Sequence, residues 1–311
     1  MKKTLSIGIC TYNRGFILEE SLQSLRGQTI PFSDIDVFVV DNNSTDNTRE
    51  IVSRLQETWP ALRYILEEKQ GIANARTRAL VEAQAEWLAF MDDDAKAHPD
   101  WVATIQKTIA KGDFDAFGGP YYAWHFFGPA PAWFPEKFGR YDGQANYGRL
   151  EEEGYLAGSN SAFKVSIALQ VGGFPVELGM KGKKCAYGEE TLLFNRMKDA
   201  GAVLGFVPEM KVDHCVLPYK YTVSWQLHSR YAYGISYAKI TDIHTVKDVT
   251  RVIRQMARLA LRAPFSFFRV WRATGQWQKA LLQTMGPVCW HWGCYVAGIK
   301  HFFTESASEK Q

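Results

Sequence analysis

The first half of the chain alternates short apolar runs with longer segments in which apolar residues recur every three or four positions. The short runs are rich in β-branched and aromatic residues, which is typical of buried strands, and the longer segments are typical of amphipathic helices. Strands that alternate with helices predict a mostly parallel sheet covered on both faces. The predicted strands are Leu5–Cys10, Asp36–Val40, Arg63–Leu66 and Trp87–Met91.

Polar residues follow three of these predicted strands at the point where each strand ends. Thr11–Asn13 follow the first strand, Asp41 follows the second, and Asp92–Asp94 follow the fourth. Ligands of such sheets bind beyond the carboxyl ends of the strands, so we expect these residues to converge on one crevice. No glycine-rich phosphate loop follows any predicted strand, which argues against a dinucleotide-dependent oxidoreductase and a P-loop nucleotidase.

The three consecutive aspartates after the fourth strand are the sharpest chemical signal in the sequence. Carboxylates this close together repel one another when they are ionised, and a divalent cation relieves that repulsion. Hard oxygen ligands select Mg²⁺ or Mn²⁺. The triplet therefore predicts a metal site, and the alternative interpretation is a solvated acidic turn before a helix.

A series of short motifs runs in a fixed order from Leu5 to Cys215. The motifs are Thr11-Tyr12-Asn13-Arg14, Val39 to Asp46, Gly71 to Arg76, Asp92-Asp93-Asp94, Gly158-Ser159-Asn160, Gly172-Gly173-Phe174, Gly188-Glu189-Glu190-Thr191, Val207-Pro208 and Val212-Asp213-His214. In order and spacing this series resembles the family 2 inverting glycosyltransferases. The resemblance implies the GT-A fold, an α/β domain that binds a nucleotide sugar.

The resemblance also implies roles for single residues near the strand ends. Most of these residues would bind the nucleotide sugar, and Asp41 would accept a hydrogen bond from the base. The nucleotide-sugar group is Thr11, Tyr12, Asn13, Arg14, Asp41, Asn43, Arg76, Asp92 and Asp93. Asp94, Asp92 and His214 would hold the metal ion, Mn²⁺ or Mg²⁺, and the imidazole of His214 favours manganese.

Transfer with inversion needs a carboxylate that takes the proton of the acceptor hydroxyl as its oxygen attacks the anomeric carbon. The resemblance implies that Glu190, at the start of a helix, is this base. Members of the family more often have Glu-Asp at this point, whereas this chain has Glu189-Glu190, so both glutamates are candidates. The motif Gly158-Ser159-Asn160 is expected to contact the acceptor or the transferred sugar.

The segment Gly118–Tyr147 contains ten Phe, Trp and Tyr residues among glycines and prolines. This composition predicts a structured loop region rather than a flexible linker. Its rings either pack on the core or form a wall that binds the acceptor, with Trp124 as the candidate contact.

The charge of the chain is distributed unevenly. From Lys220 to Gln311 there are 13 Lys and Arg against 4 Asp and Glu, a net charge of +9, whereas the preceding residues carry −6. Arginines at 251, 254, 258 and 262 share one face of a predicted helix that Pro264 should end or kink, and aromatic residues follow. This combination predicts a helix in an anionic membrane interface, and the alternative is a helix packed on the catalytic domain.

The segment Ala280–Ile299 carries no formal charge and predicts an interfacial or oligomer-contacting helix. Nucleic acid is the other possible partner of a basic region, but no nucleic-acid recognition fold accompanies this one.

Together these patterns predict an α/β protein with a GT-A-type, mostly parallel mixed sheet flanked by helices and a helical C-terminal extension. Residues 1–220 would form the catalytic domain, with a nucleotide-sugar-binding half at 1–117 and an acceptor-binding, catalytic half at 118–220. Residues 221–311 would form the basic amphipathic region. Five cysteines without a Cys-x-x-Cys pair favour a reducing compartment and hence a cytoplasmic protein. Together with the basic C-terminal region, this predicts a peripheral protein on the inner face of the cell membrane.

The predicted function is metal-dependent inverting transfer of a sugar from a nucleoside-diphosphate sugar to a hydroxyl of a glycan or lipid-linked acceptor. A UDP-sugar is favoured and a dTDP-sugar is the second choice. The expected partners are the donor, the acceptor, an anionic membrane surface and a second copy of the chain, with no nucleic acid. The alternatives are a catalytically silent scaffold subunit with the same fold and a nucleotidyltransferase.

Overall fold

The computed structural model describes residues 3–152, 154–182, 184–241 and 245–308. These residues form two compact units. The first unit comprises the described residues of Met1–Trp124, Gly139–Gly182 and Glu189–Val216, and the second comprises those of His125–Phe138, Lys183–Gly188 and Leu217–Gln311. The functional division of the chain at residue 220 stays a prediction.

All of the strands in the described chain belong to the first unit. They are β1 (Leu5–Thr11), β2 (Ile35–Asp41), β3 (Leu62–Leu66), β4 (Trp87–Met91), β5 (Ala95–Ala97), β6 (Ala116–Gly118), β7 (Tyr121–Trp124), β8 (Gly148–Arg149), β9 (Asn160–Lys164), β10 (Leu204–Phe206) and β11 (Val212–Cys215). Eight of them form one mixed sheet in the order β3-β2-β1-β4-β9-β6-β10-β8. The neighbours from β3 to β4 are parallel, as are β6 and β10, while β9 runs antiparallel to β4 and β6.

A second, three-stranded sheet has the order β5-β11-β7. Strand β11 is antiparallel to β5 and parallel to β7. In this register His214 lies opposite Ala95, the residue that follows the aspartate triplet. The small sheet therefore brings a distant histidine to the carboxyl end of β4.

Helices cover both faces of the large sheet. Those of the first unit are α1 (Gly15–Arg26), α2 (Thr48–Thr58), α3 (Ile72–Glu82), α4 (Trp101–Lys111), α5 (Val165–Gln170) and α6 (Glu189–Asp199). Successive strand residues point to opposite faces, so Val39 packs with α1, α2 and α4, whereas its neighbours Phe38 and Val40 pack with α3, α5 and α6. The predicted mixed α/β architecture is confirmed.

The second unit is helical. It contains a 3-10 turn at Pro218–Tyr221 followed by α7 (Val223–Ile240), α8 (Val246–Thr274) and α9 (Trp277–Ser308). Helix α8 continues through Pro264, so of the two predicted outcomes the end of the helix is wrong, and the kink stays a prediction. Pro264 lies on the exposed side of α8, where water can bond to the carbonyl that lacks its usual N–H partner. Among the helices described, none combines the length and the apolar character needed to cross a bilayer.

Candidate active site

Strands β1, β2 and β4 deliver the predicted polar residues to one edge of the large sheet. Thr11 and Asp41 lie side by side at the ends of β1 and β2, and the Asn42 amide donates to the Thr11 carbonyl at 2.8 Å. The aspartate triplet begins directly after Met91, the last residue of β4. The carboxyl ends of these parallel strands therefore form the edge where the predicted site lies.

Asp92, Asp94 and His214 form a compact cluster of metal-ligand type. One side-chain atom of each lies within 4.8 Å of the others. The His214 Nε2 atom is 2.9 Å from Asp94 Oδ1 and 3.7 Å from Asp92 Oδ2. Asp94 is buried and Asp92 is half-buried. Two carboxylates and one imidazole at this spacing fit a divalent cation with a preference for oxygen and nitrogen ligands.

The Arg14 side chain lies against this cluster. Its Nη1 atom donates to Asp94 Oδ2 at 3.0 Å, so the two oxygens of Asp94 are shared between Arg14 and His214. The neighbouring Asp93 is buried, and its backbone carbonyl accepts a 2.7 Å bond from the Ser21 hydroxyl. Burial raises the pKa of the Asp93 carboxyl to about 7, although the charge of Arg14 lowers it. Arg14 thus supplies positive charge, and His214 supplies a hydrogen-bonding ring nitrogen. Both offset the repulsion among the three aspartates.

The loop after β2 is tied to the loop after β1 through Asn13. The Asn13 Oδ1 atom accepts the Thr45 amide at 2.7 Å, and the Asn13 amide donates to the Ser44 hydroxyl at 2.9 Å. Asn13 and Asn43 have φ angles of 52° and 63°, in the left-handed region that asparagine tolerates better than most residues. Tyr12 and Asn43 lie at least partly open to solvent beside this connection.

Asp41, the predicted base-binding residue, is buried and held on both oxygens. Its Oδ1 atom accepts the Ser44 amide at 2.8 Å, and its Oδ2 atom accepts the Tyr64 hydroxyl at 2.7 Å. Burial and the bond to Asp41 raise the pKa of Tyr64, so its hydroxyl stays a donor. The sequence analysis missed Tyr64, which lies in β3 opposite Val39. Its position in an apolar run gave no signal for such a role.

Asn42 is a second residue that the sequence analysis did not single out by itself. Its side chain is buried, with Nδ2 donating to the carbonyls of Glu67 and Lys69 at 3.1 and 2.7 Å. Its Oδ1 atom accepts the Gly71 amide at 2.7 Å. Asn42 therefore fixes the loop before α3, the helix that carries Arg76. In the sequence, only the pair of asparagines directly after β2 indicated that Asn42 has a role at the site.

Arg76 connects the metal-type cluster to the predicted catalytic glutamates. Its Nη1 atom is 2.8 Å from Glu189 Oε1 and 3.5 Å from Glu190 Oε2, and its Nη2 atom is 3.4 Å from Asp92 Oδ1. The side chain is buried and packs against the rings of Phe90 and Phe174. Burial lowers the pKa of Arg76, but the three carboxylates raise it more, so the guanidinium stays charged.

The two glutamates at the start of α6 have different surroundings. Glu189 is buried, whereas the side chain of Glu190 is 26% exposed. Burial and the nearby Glu190 carboxylate raise the pKa of Glu189 to about 8, although Arg76 lowers it. One buried cation, Arg76, faces three carboxyl groups here. Its charge does not fully offset the burial of Glu189 and the charge of Glu190, so the Glu189 side chain favours its neutral form. Gly179, with a φ of 79°, lies directly behind Glu189 and leaves no room for a Cβ.

The four residues predicted to contact the acceptor or the transferred sugar have different surroundings. Gly158 lies against the Arg76 guanidinium so closely that a Cβ would overlap it. Ser159 is buried, and Trp124 is half-buried, with the Lys96 ammonium 5.8 Å from its ring. Asn160 is fully buried, and its amide bonds to the Trp101 indole and to the carbonyls of Pro120 and Met210. These internal bonds use both amide hydrogens of Asn160, and its contact with the sugar stays a prediction.

The profile of the family described as "Glycosyl transferase family 2" matches residues 6–171 of the chain. The chain therefore belongs to glycosyl transferase family 2, as the sequence motifs predicted. Over 243 residues it is 28% identical to the glucosyl-dolichyl phosphate glucuronosyltransferase of Haloferax volcanii, with 75% of each chain covered. Over 269 residues it is 28% identical to the succinoglycan biosynthesis protein ExoM of Rhizobium meliloti, with 85% of this chain and 82% of ExoM covered.

Solved structures of glycosyltransferases share the fold. The mannosyltransferase PcManGT of Pyrobaculum calidifontis, solved with GDP-mannose and Mn²⁺, matches with a TM-score of 0.62 and 20% identity, over 98% of this chain and 88% of that chain. Residues 1–349 of TarS from S. aureus, solved with UDP-GlcNAc, match with a TM-score of 0.57 and 17% identity, over 99% and 92%. The GT-A fold and the assignment as a glycosyltransferase are confirmed.

Proposed function

We propose that this glycosyltransferase moves a sugar from a nucleoside-diphosphate sugar to an acceptor hydroxyl with inversion at the anomeric carbon. A UDP-sugar is the favoured donor and a dTDP-sugar the alternative. The observation that carries the proposal is the chain of contacts that joins the Asp92, Asp94 and His214 cluster to Glu190 through Arg76. It links a site suited to a diphosphate and its metal ion with a carboxylate suited to proton removal.

The first part of the mechanism is recognition of the donor. Asp92, Asp94 and His214 would hold Mn²⁺ or Mg²⁺, which when bound supplies positive charge that stabilises the departing diphosphate. The imidazole of His214 favours Mn²⁺. Asp41, held by Tyr64 and the Ser44 amide, retains acceptor capacity on both oxygens for a donor group of the base. The predicted contacts of Thr11, Tyr12, Asn13 and Asn43 with the nucleotide belong to the same proposal.

The second part is transfer. The Glu190 carboxylate accepts the proton of the acceptor hydroxyl while that oxygen forms a bond to the anomeric carbon. The bond from this carbon to the diphosphate oxygen breaks, and the nucleoside diphosphate leaves with the electron pair. Glu190 suits this role better than Glu189, because it is more exposed and lies at the longer distance from Arg76, whereas Glu189 is buried in its contact with the same guanidinium.

The acceptor is proposed to be a glycan or a lipid-linked sugar. The names of the two relatives support this class, since one describes a dolichyl phosphate substrate and the other a polysaccharide pathway. Helix α8 supports a membrane surface as a partner. Leu261, Phe265 and Phe268 are 84, 75 and 60% exposed and share the outward side of the helix with its arginines. Exposed apolar and cationic side chains on one face are typical of helices that lie in an anionic membrane interface.

The stereochemistry of slow donor hydrolysis tests the reaction without a known acceptor. Full-length protein with Mg²⁺ and a panel of α-linked UDP- and dTDP-sugars is followed by proton NMR, which distinguishes the anomers of the released sugar. We expect the β-anomer to form first. Glu190→Gln should lower the rate by about 100-fold or more, because it removes the proton acceptor. The exposed Glu177 provides the matched control, Glu177→Gln. Initial release of the α-anomer, or full activity of Glu190→Gln, would contradict the proposal.

A further inference from the structure

Three tyrosines of the first unit form a cluster beside the histidine of the metal-type site. The Tyr121 ring meets the His214 ring edge to face, with centroids 5.9 Å apart. Tyr121 and Tyr141 exchange backbone hydrogen bonds of 3.0 and 2.9 Å, and their ring centroids are 5.8 Å apart. Tyr141 also packs edge to face on Phe206, which belongs to β10. The cluster is therefore attached to both sheets.

Tyr155 is the outermost member of this cluster. Its ring centroid is 4.2 Å from that of Tyr141, and its hydroxyl is 2.8 Å from the Tyr121 hydroxyl. Its backbone amide donates to the Tyr141 hydroxyl at 3.3 Å. Tyr155 nevertheless remains 41% exposed. An exposed ring that is already held in place loses little conformational freedom when a ligand packs on it.

The contacts of Tyr121 relate the cluster to the metal-type site. The Tyr121 ring lies against His214, whose Nε2 atom is 2.9 Å from Asp94 and 3.7 Å from Asp92. Asp92 is 3.4 Å from the Arg76 guanidinium, which is 3.5 Å from Glu190. The tyrosines thus adjoin the metal-type cluster through His214, and Arg76 links that cluster to the proposed base.

We propose that Tyr155, held by Tyr121 and Tyr141, is the platform on which a pyranose ring of the acceptor stacks. This inference rests on the proposed function and names a binding site for its acceptor. A pyranose presents a face of C–H groups with partial positive charge, which the negative face of an aromatic ring attracts. The phenol hydroxyls at the rim offer hydrogen bonds to sugar hydroxyls.

Saturation-transfer NMR with simple glycosides tests the platform. The probes are the methyl β-glycosides of glucose, galactose, mannose and N-acetylglucosamine, with methyl β-glucuronide as the charged counterpart, and the full chain is used with UDP and Mg²⁺. We expect transfer to the ring C–H protons of at least one neutral glycoside. Tyr155→Ala should weaken its affinity by about two- to tenfold, the range for one aromatic contact. Tyr155→Phe should retain it, because the ring remains. Tyr233→Ala in α7 provides the control, since Tyr233 is 53% exposed and lies outside the cluster.

Two results would overturn the platform: equal glycoside binding by the wild type and Tyr155→Ala, or no transfer to any neutral glycoside from protein that binds a nucleotide. Calorimetric titration of the same samples with UDP, dTDP and GDP separates this inference from the proposed function. Protein that binds glycosides through Tyr155 but none of the nucleotides would support the platform and contradict the proposed donor.

Discussion

The Arg76 guanidinium donates to the Glu189 carboxylate at 2.8 Å, and both side chains are more than nine-tenths buried. The same guanidinium reaches Glu190 and Asp92 at 3.5 and 3.4 Å. Arg76 therefore supplies the positive charge that allows carboxylates from α6 and from the end of β4 to approach each other. Because Glu189 is covered and Glu190 is partly open to solvent, we propose that Glu189 positions Arg76 and that Glu190 meets the substrate.

We predict that Arg76→Ala lowers the free energy of unfolding by about 2 kcal/mol, because it leaves the buried Glu189 carboxyl without its hydrogen-bond donor. The measurement is the urea midpoint followed by circular dichroism. Arg78→Ala is the matched control on the same helix. Arg78 forms a more exposed pair with Glu82, four residues along, so its loss should cost less than about 0.5 kcal/mol. Equal losses of stability in the two variants would show that the buried Arg76 contacts contribute no more than the exposed Arg78–Glu82 pair.

The dependence of stability on pH reports on Glu189. Its pKa is about 8 in the folded protein, against an ordinary value of 4.5, so the folded state binds the proton more tightly than the unfolded chain does. The stability contributed by protonated Glu189 is complete below the lower pKa and is lost as the pH rises through the higher one. Glutamine does not ionise. We therefore expect the urea midpoint of Glu189→Gln to fall less than that of the wild type as the pH rises from 4.5 to about 8. Parallel profiles for the variant and the wild type would refute the raised pKa.

Gly158→Ala is predicted to displace Arg76. A Cβ at this position would overlap both terminal nitrogens of the guanidinium, which is fixed by its carboxylate partners. The variant should lose most of its activity, and its stability should fall toward that of Arg76→Ala. Gly148→Ala is the control, because the nearest atom to its added Cβ is the Gln144 side-chain nitrogen at 3.9 Å. A fully active Gly158→Ala protein would mean that the Arg76 position is not required for transfer.

Binding to anionic vesicles should depend on the outward face of α8. Replacement of Phe265 and Phe268 by Ser removes exposed apolar surface that would enter the interface, so we expect weaker sedimentation with phosphatidylglycerol vesicles. The control is Val176→Ser in the first unit, where the side chain is 62% exposed. Raised salt should also weaken binding by the wild type, because the arginines contribute through charge. Wild-type protein that does not sediment with these vesicles would refute the membrane surface.

The ends of the first four strands could be predicted from the sequence to within one residue, since polar residues follow a short apolar run. Parallel strands bring such segments to one edge, which is why Thr11, Asp41 and Asp92 were expected together. The family motifs added His214, whose approach to the aspartates depends on the pairing of β11 with β5. Periodicity alone contains no information about such a pairing across more than a hundred residues.

Contacts between residues far apart in the sequence could not be predicted in the same way. Arg76 and Glu189 are 113 positions apart, and neither spacing nor composition indicates that they meet. Tyr121, Tyr141 and Tyr155 lie in a region without regular periodicity, so the sequence indicated aromatic packing without its arrangement. Pro264 does not end α8, one of the two predicted outcomes, because the cost of its missing hydrogen bond depends on exposure, which a single helix pattern does not fix.

We propose that Asp92, Asp94 and His214 hold a metal ion that nucleotide binding requires. Calorimetric titration with UDP, dTDP and GDP tests it most directly, with each nucleotide measured in Mn²⁺ and in EDTA. We predict that one nucleotide binds in Mn²⁺ and that EDTA abolishes this binding. Asp94→Asn should weaken it by more than about tenfold, whereas Asp142→Asn at an exposed position should not. Equal binding in EDTA and in Mn²⁺, or unchanged binding by Asp94→Asn, would contradict the account.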